Sequence, residues 1–418
     1  MAQLSDDCFA HGGTLMPLDE ALALLDERLR PVRDIQTVPL AEAADRVLAE
    51  DIVAAADVPP HDNSAVDGYA VCFDDLDPSR QTRLPVTGRA AAGHPLGRAA
   101  RRGEAIRIFT GAAMPDGLDT VMMQEDCRED GDHVILAPGI AKGANRRRRG
   151  EDVKRGQTIL RRGRRLRPQD LGLAAAVGQT DVVVYEPLRV AIFSTGDEVR
   201  EPGQPLPDGA IYDANRHMLV GAVSRLGCTV RDLGILPDDA AVIREALSAA
   251  AACHDLLLTS GGVSVGEEDH VKAAVEASGS MHFWRLAIKP GRPVAMGQIG
   301  ATPIVGLPGN PGAALVTFLL VARPLLLRLA GVAEISPHRY RVTVDFDYSK
   351  KAGRREFVRA KLQTGQDGMP LAVKHGRSGA GILSSMVEAD GLLDLAADVT
   401  YLESGSTADF LPFSEVLT

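Results

Sequence analysis

From Leu188 onward the chain repeats one pattern, an apolar run that ends in a polar loop and gives way to a segment of helical period. Residues 188–193 run into Ser194-Thr195-Gly196-Asp197-Glu198, and 228–236 into Pro237-Asp238-Asp239. Leu256-Leu257-Leu258 leads straight into a glycine-rich loop that reaches His270. Helix-period stretches over 216–226 and up to Ala252 separate these runs, so the strands are expected to be buried on both faces of a doubly wound α/β domain. Further strand-like runs at 281–288 and 303–305 empty into Lys289-Pro290-Gly291-Arg292-Pro293 and Gly306-Leu307-Pro308-Gly309-Asn310-Pro311. Ligands of such domains bind beyond the carboxyl ends of the strands, where these polar loops fall.

The loop after the third run carries Ser260, Gly261, Gly262 and Ser264. Glycine opens backbone conformations closed to other residues and removes the side chain that would hold a ligand away from the amides, so this loop can cradle an anion. Asp269 stands where the next helix, 271–278, would begin; a carboxylate there serves either as a cap or as a ligand.

Ahead of this domain, 18–29 has helical periodicity and 41–49 reads as a second short helix, together a helical entry segment. Asp62-Asn63-Ser64-Ala65-Val66-Asp67 is a polar loop running into a strand, and between 84 and 136 short strand-like runs alternate with Gly-Pro turns as in a small β-rich domain. Residues 142–167 hold twelve Lys and Arg against Glu151 and Asp152, on a chain whose net charge is -10. That block is either a solvated face or an attractor of phosphate-bearing ligands. It contains no aromatic residue to stack on bases, so nucleic acid is not an expected partner. After Gly331 alternation returns, at 339–346, 356–362 and 371–374, and predicts a closing β-rich domain.

Hydrophobic residues at 45% and charged residues at 24% are those of a globular protein. The most apolar run, 313–329, is interrupted by Arg323 and Pro324, so no membrane span is expected. Five scattered cysteines without a Cys-x-x-Cys pair argue against a disulfide framework or structural zinc, and a cytoplasmic location is expected.

Seven segments then bear on function together: DNSAVDGYAV at 62–71, RIFTGAAMP at 107–115, NRRRRGED at 145–152, STGDE at 194–198, SGGVSVGEEDH at 260–270, LAIKPGRP at 286–293 and GLPGNP at 306–311. In this order the chain resembles the molybdopterin molybdenumtransferases, which include the E domain of gephyrin, from about residue 17 to the end. The resemblance implies an elongated multidomain homodimer: a discontinuous helical hinge domain (17–55 and 140–185), a β-rich domain (56–139), the α/β molybdopterin-binding domain (186–331) and a C-terminal β-barrel-like domain (332–418). It implies insertion of molybdenum from molybdate into adenylylated molybdopterin, releasing AMP and forming molybdenum cofactor, with Mg2+ as the divalent ion. A molybdopterin adenylyltransferase would supply the substrate.

Carried over by motif, Asp67, Thr110, Asp152, Glu198, Asp238 and Asp269 are candidate catalytic residues, with Asp238 and Asp269 favoured for the metal or the activated phosphate. Ser260, Gly261, Gly262, Ser264, Arg285, Lys289, Arg292, Asn310 and Arg359 are candidate substrate contacts. Three positions depart from the family pattern: Arg285 where relatives have Lys, and Ala313 and Ala380 where they have Ser. Two alternatives are a molybdopterin adenylyltransferase, which shares the α/β domain, and a non-catalytic molybdopterin-binding scaffold. The motif loops outside the α/β domain speak against the first, and the acidic loop residues against the second.

Overall fold

The computed structural model describes residues 15–261, 270–376 and 379–417. Its central sheet has seven strands, in the order Leu15–Met16, Gly279–Leu286, Pro293–Ile299, Thr302–Leu307, Leu256–Ser260, Arg189–Thr195 and Thr229–Leu236. The last four pair in parallel, whereas Pro293–Ile299 runs antiparallel to both its neighbours. Two successive reversals restore the direction of Gly279–Leu286, with which Leu15–Met16 pairs in parallel, so six of the seven strands present their carboxyl ends at one edge.

Side-chain alternation explains why the strands read as unbroken apolar runs. Val190, Ile192, Leu256, Leu258 and Val305 enter one core, with helices Leu18–Arg28, Ala214–Arg225 and Pro311–Leu329. Ala191, Phe193, Leu257 and Ile304 enter another, against Ala240–Ala251 and His270–Ser278. Both faces are covered, as a doubly wound sheet requires. Pro311–Leu329 is 19 residues long with a mean hydropathy of 1.8, enough to cross a membrane by length and composition, but 89% of its apolar stretch is buried inside the protein, as befits a core helix.

The structure departs from the sequence reading in four places. The expected helix over 41–49 is a 3-10 turn, Leu40–Glu42, because Asp45 takes a φ of 62° and Val47 and Leu48 bridge to Arg165 and Val184. Helix Leu18–Arg28 buries Leu18, Ala21 and Leu25 in the α/β core, so part of the expected hinge segment belongs physically to the sheet. Strand Pro293–Ile299 had no counterpart in the reading; its proline is the first strand residue, where a missing N–H is tolerated. The run 281–288 divides, Ile288–Lys289 leaving the central sheet to pair in parallel with Arg355–Glu356.

Two other sheets flank this core. Gly68–Val71, Thr82–Ala90, Ala105–Ile108, Thr120–Met123, Cys127–Asp130 and His133–Leu136 form a six-stranded sheet. Strands Tyr340–Val344, Arg355–Thr364, Pro370–Lys374, Gly391–Leu395 and Thr407–Pro412 close on themselves through the pairing of Arg355–Thr364 with Gly391–Leu395, making a small barrel. Between the outer and central sheets, Ile35–Pro39 pairs with Asp181–Tyr185 and Ile52–Val53 with Thr158–Leu160, and Val38, Leu48, Leu160 and Val184 share one core. The chain exposes 20242 Å², against roughly 15,500 Å² for a compact monomer of its mass, as an elongated multidomain chain should.

Gly68, which follows Asp67 in the first motif, is demanded by the sheet: a Cβ there would lie 1.8 Å from the Met122 carbonyl oxygen. Gly68→Ala should therefore destabilise the β-rich domain by about 1–3 kcal/mol, read as a lower denaturation midpoint.

Candidate active site

The edge of the sheet is polar because backbone and side chains beyond the strand ends can no longer pair within it. Its point of divergence lies between Arg189–Thr195 and Leu256–Ser260, since the chain goes from the former to Thr229–Leu236 on one side and returns to the latter on the other. Here Ser260 donates from Oγ to the Pro308 carbonyl at 2.8 Å, and the Gly261 amide to the Leu307 carbonyl at 3.1 Å. Asn215, at the start of helix Ala214–Arg225, donates from Nδ2 to Ser260 Oγ at 2.8 Å and to the Gly309 carbonyl at 2.7 Å. One amide thus ties both ligand loops together. Sequence reasoning missed Asn215, because a lone Asn after a helix cap has no signal of its own.

Facing this edge, the barrel closes a cleft of about 990 Å³. Arg285, Lys289, Arg292, Arg354, Arg359 and Lys374 line it, and among the described residues Glu356 is its only acid. Glu356, 3% exposed, accepts from Lys289 Nζ at 3.2 and 3.3 Å and from the Tyr348 hydroxyl at 2.9 Å. Burial, then the Glu356 carboxylate, pushes the Tyr348 phenol up to about 12, so it remains a donor. Arg359, 8% exposed, donates to Ser385 Oγ and to the Gly379 carbonyl, both at 2.5 Å; burial lowers its pKa from the usual guanidinium value. Arg292 Nε is buried without a hydrogen-bond partner. Concentrated positive charge between low-dielectric walls draws in anions and strengthens their binding.

Two glycines let the walls approach. Gly291 has a φ of 97°, and a Cβ there would meet Thr317 Oγ1 at 2.2 Å, so the 289–292 loop lies against the core helix. Gly312 donates its amide to the Ala380 carbonyl at 2.8 Å, and a Cβ would stand 2.9 Å from Arg359 Nη2. Ala313 and Ala380 both line the cleft.

Of the candidate residues, Gly261, Arg285, Lys289, Arg292, Asn310 and Arg359 line this cleft together, and Ser260 fastens its floor. Glu198 is exposed on the neighbouring loop, where Gly196, at a φ of 130°, makes room: a Cβ at that position would lie 2.5 Å from Glu198 Oε2. Asp238 is exposed at the same edge, while Asp239 takes the capping role, accepting from the Ala241 and Val242 amides at 2.8 and 3.0 Å. Gly262, Ser264 and Asp269 lie outside the described residues.

Asp67, Thr110 and Asp152 do not line the cleft. They belong to a second cluster, in which Thr110 donates to Asp67 Oδ1 from its amide at 2.8 Å and its hydroxyl at 2.7 Å, holding that carboxyl below its ordinary pKa. Asn63 and Ser64 pair with Arg147 and Arg146, the Met114 amide reaches the Asp62 carbonyl, and the Asp152 amide reaches the Val58 carbonyl. The three N-terminal motifs are therefore stitched into one surface. Much of the basic block is internally neutralised: Arg149 meets Asp57 at 2.5 Å, Arg164 meets Asp170 at 2.7 Å and Arg165 meets Asp45 at 3.2 Å.

No group of three or more His, Cys, Asp or Glu side chains converges among the described residues. Glu198 and Asp238, exposed on two loops at the sheet edge, are carboxylates of the kind that can share a divalent ion with substrate phosphates.

A doubly wound sheet whose polar edge meets a barrel across a cation-lined cleft defines a multidomain α/β enzyme built to handle anions. Residues 16–178 match the MoeA N-terminal region (domain I and II), 191–328 a probable molybdopterin binding domain, and 341–413 the MoeA C-terminal region (domain IV). The chain is 39% identical over 405 residues to a molybdopterin molybdenumtransferase of Haemophilus influenzae, covering 96% of this chain and 100% of that one. It is 37% identical over 399 residues to a molybdopterin molybdenumtransferase 2 of Mycobacterium tuberculosis, covering 93% and 97%. The crystal structure of a molybdopterin biosynthesis moeA protein from Pyrococcus horikoshii OT3 aligns with a TM-score of 0.82 at 31% identity, covering 96% of this chain and 100% of that one. The chain belongs to the molybdopterin molybdenumtransferase family.

Asn215→Ala would remove a part-buried bond to the Ser260 hydroxyl and an exposed one to the Gly309 carbonyl, each contributing about 0.5–1.5 kcal/mol. A lowered thermal midpoint together with a larger proportional loss of turnover is the expected outcome; lost stability with unchanged turnover would remove Asn215 from the site.

Proposed function

We propose that the chain inserts molybdenum from molybdate into the dithiolene of adenylylated molybdopterin, releasing AMP and yielding molybdenum cofactor. The observation that carries this reading is the cleft itself, where Lys289, Arg292 and Arg359 converge with a single acid beside them among the described residues. Molybdate and the adenylate phosphoanhydride are both anionic, and charge developing on the departing AMP is stabilised by fixed cations already in place. Because the similarity spans far more than the α/β domain, a molybdopterin adenylyltransferase suits this chain better as the supplier of its substrate than as its own identity. Mg2+, when bound, would neutralise phosphate oxygens, with Asp238 and Asp269 as the residues to hold it. A reducing cytoplasm suits the free cysteines Cys72, Cys127, Cys228 and Cys253.

Asp67, Thr110 and Asp152 stand apart from the cleft of their own chain, and we assign them to the cleft of a partner subunit in a homodimer. Mixing inactive Asp67→Asn with inactive Asp269→Asn subunits should then restore part of the activity, since a mixed dimer holds one intact composite site. No recovery despite verified subunit exchange would count against the shared site.

Ala313 and Ala380 line the cleft where hydroxyls would face the oxyanion, so molybdate is held mainly by charge, and charge is screened by salt. Molybdate dependence of insertion should be salt-sensitive in the native chain. Ala313→Ser/Ala380→Ser should lower the half-saturating molybdate concentration, each charge-assisted hydrogen bond adding about 1.5–3 kcal/mol at most. Coincident titration curves for the two proteins, with no effect of salt, would overturn this assignment.

A further inference from the structure

The acid of the cleft has no role in the reading above. Glu356 sits on a barrel strand directly across from Lys289, in parallel register. Its side chain is 4% exposed while that of Lys289 is 52% exposed, so the carboxylate is fixed and the ammonium is the group that reaches into the cleft. Both Glu356 oxygens lie within 3.3 Å of Lys289 Nζ. An ammonium has three donors, and one directed at each oxygen leaves a single donor for a ligand. Tyr348 holds the carboxylate from another side at 2.9 Å, and Lys374 Nζ stands 5.2 Å from the centre of the Tyr348 ring.

We propose that Glu356 is a positioning residue that sets the oxyanion affinity of the cleft by orienting Lys289 and competing with the anion for its ammonium. This role rests on the cleft being the molybdate site. An incoming dianion meets Lys289 already half engaged, so it binds more loosely than the cations alone would dictate, and it can be passed on. Tyr348 moderates the competition by sharing the carboxylate.

The two partners predict opposite signs. Glu356→Gln keeps the shape and an acceptor but removes the competing charge, so molybdate should bind at least threefold more tightly and with a steeper salt dependence. Tyr348→Phe removes the moderating donor, the carboxylate then leans wholly on Lys289, and molybdate should bind more weakly. The measurement is calorimetric molybdate titration of the full chain at low and moderate salt, with thermal midpoints recorded alongside. A purely structural role would loosen binding in both variants, and unchanged or weaker binding in folded Glu356→Gln overturns the proposal. Should Glu356→Gln fail to fold, tighter or unchanged binding by Tyr348→Phe overturns it equally. Wild-type protein that binds no molybdate would instead bring down the reading of the cleft, and this role with it.

Discussion

A sheet buried on both faces leaves its polar chemistry only one place to go. From Val190 to Thr195 and along Leu256–Ser260 every residue is buried, and the apolar ones point alternately toward one core and the other. Polar groups are thereby driven to the loops beyond the strand ends, and because six of the seven strands share a direction, those loops collect at one edge. The antiparallel strand Pro293–Ile299 does not spoil this. It acts as a return stroke that brings Gly279–Leu286, and with it Arg285 and the Lys289 loop, into line with the parallel strands.

The edge alone would be an open shelf, and the barrel makes it a cleft. The join is made by backbone: Ile288–Lys289 leaves the central sheet to become an added strand of the barrel sheet, and the Gly312 amide at the start of the core helix binds the Ala380 carbonyl. Close approach at Gly291 and Gly312 tolerates no Cβ. A lysine on a strand shared by two domains has its position set by both, which is why the Lys289–Glu356 pair forms across the junction.

What could be read from the sequence was what has a period or a punctuation mark. Apolar runs ending in Gly-Pro loops gave the α/β domain and placed Ser260, Lys289, Arg292 and Asn310 at its active edge. Where a local feature competed with the period, reading failed: Asp45 in a left-handed conformation turned an apparent helix over 41–49 into a single turn. Asn215 and Glu356 went unseen for another reason. Each acts through a contact with a segment distant in the chain, Ser260 and Gly309 for the first and Lys289 for the second, and nothing in its own neighbourhood distinguishes it from a cap or a strand residue. The basic block misled in the opposite sense, since its charge is conspicuous in sequence yet partly met by acids outside it, Asp45, Asp57, Asp62 and Asp74 from remote positions and Asp170 from just beyond its end.

The separation of acids from cations follows from the same architecture. Among the described residues of the cleft, cations outnumber the one acid, and Glu198 and Asp238 at the sheet edge lie on exposed loops where hydration stabilises their charge. Were those carboxylates inside the cleft, they would pair with the arginines and cancel the field that attracts an anion. Keeping the two apart leaves a cation-lined cleft beside exposed acidic loops. Glu356 is the exception, and its burial against Lys289 makes it a brake on the field, with its single charge too well satisfied to serve as a ligand.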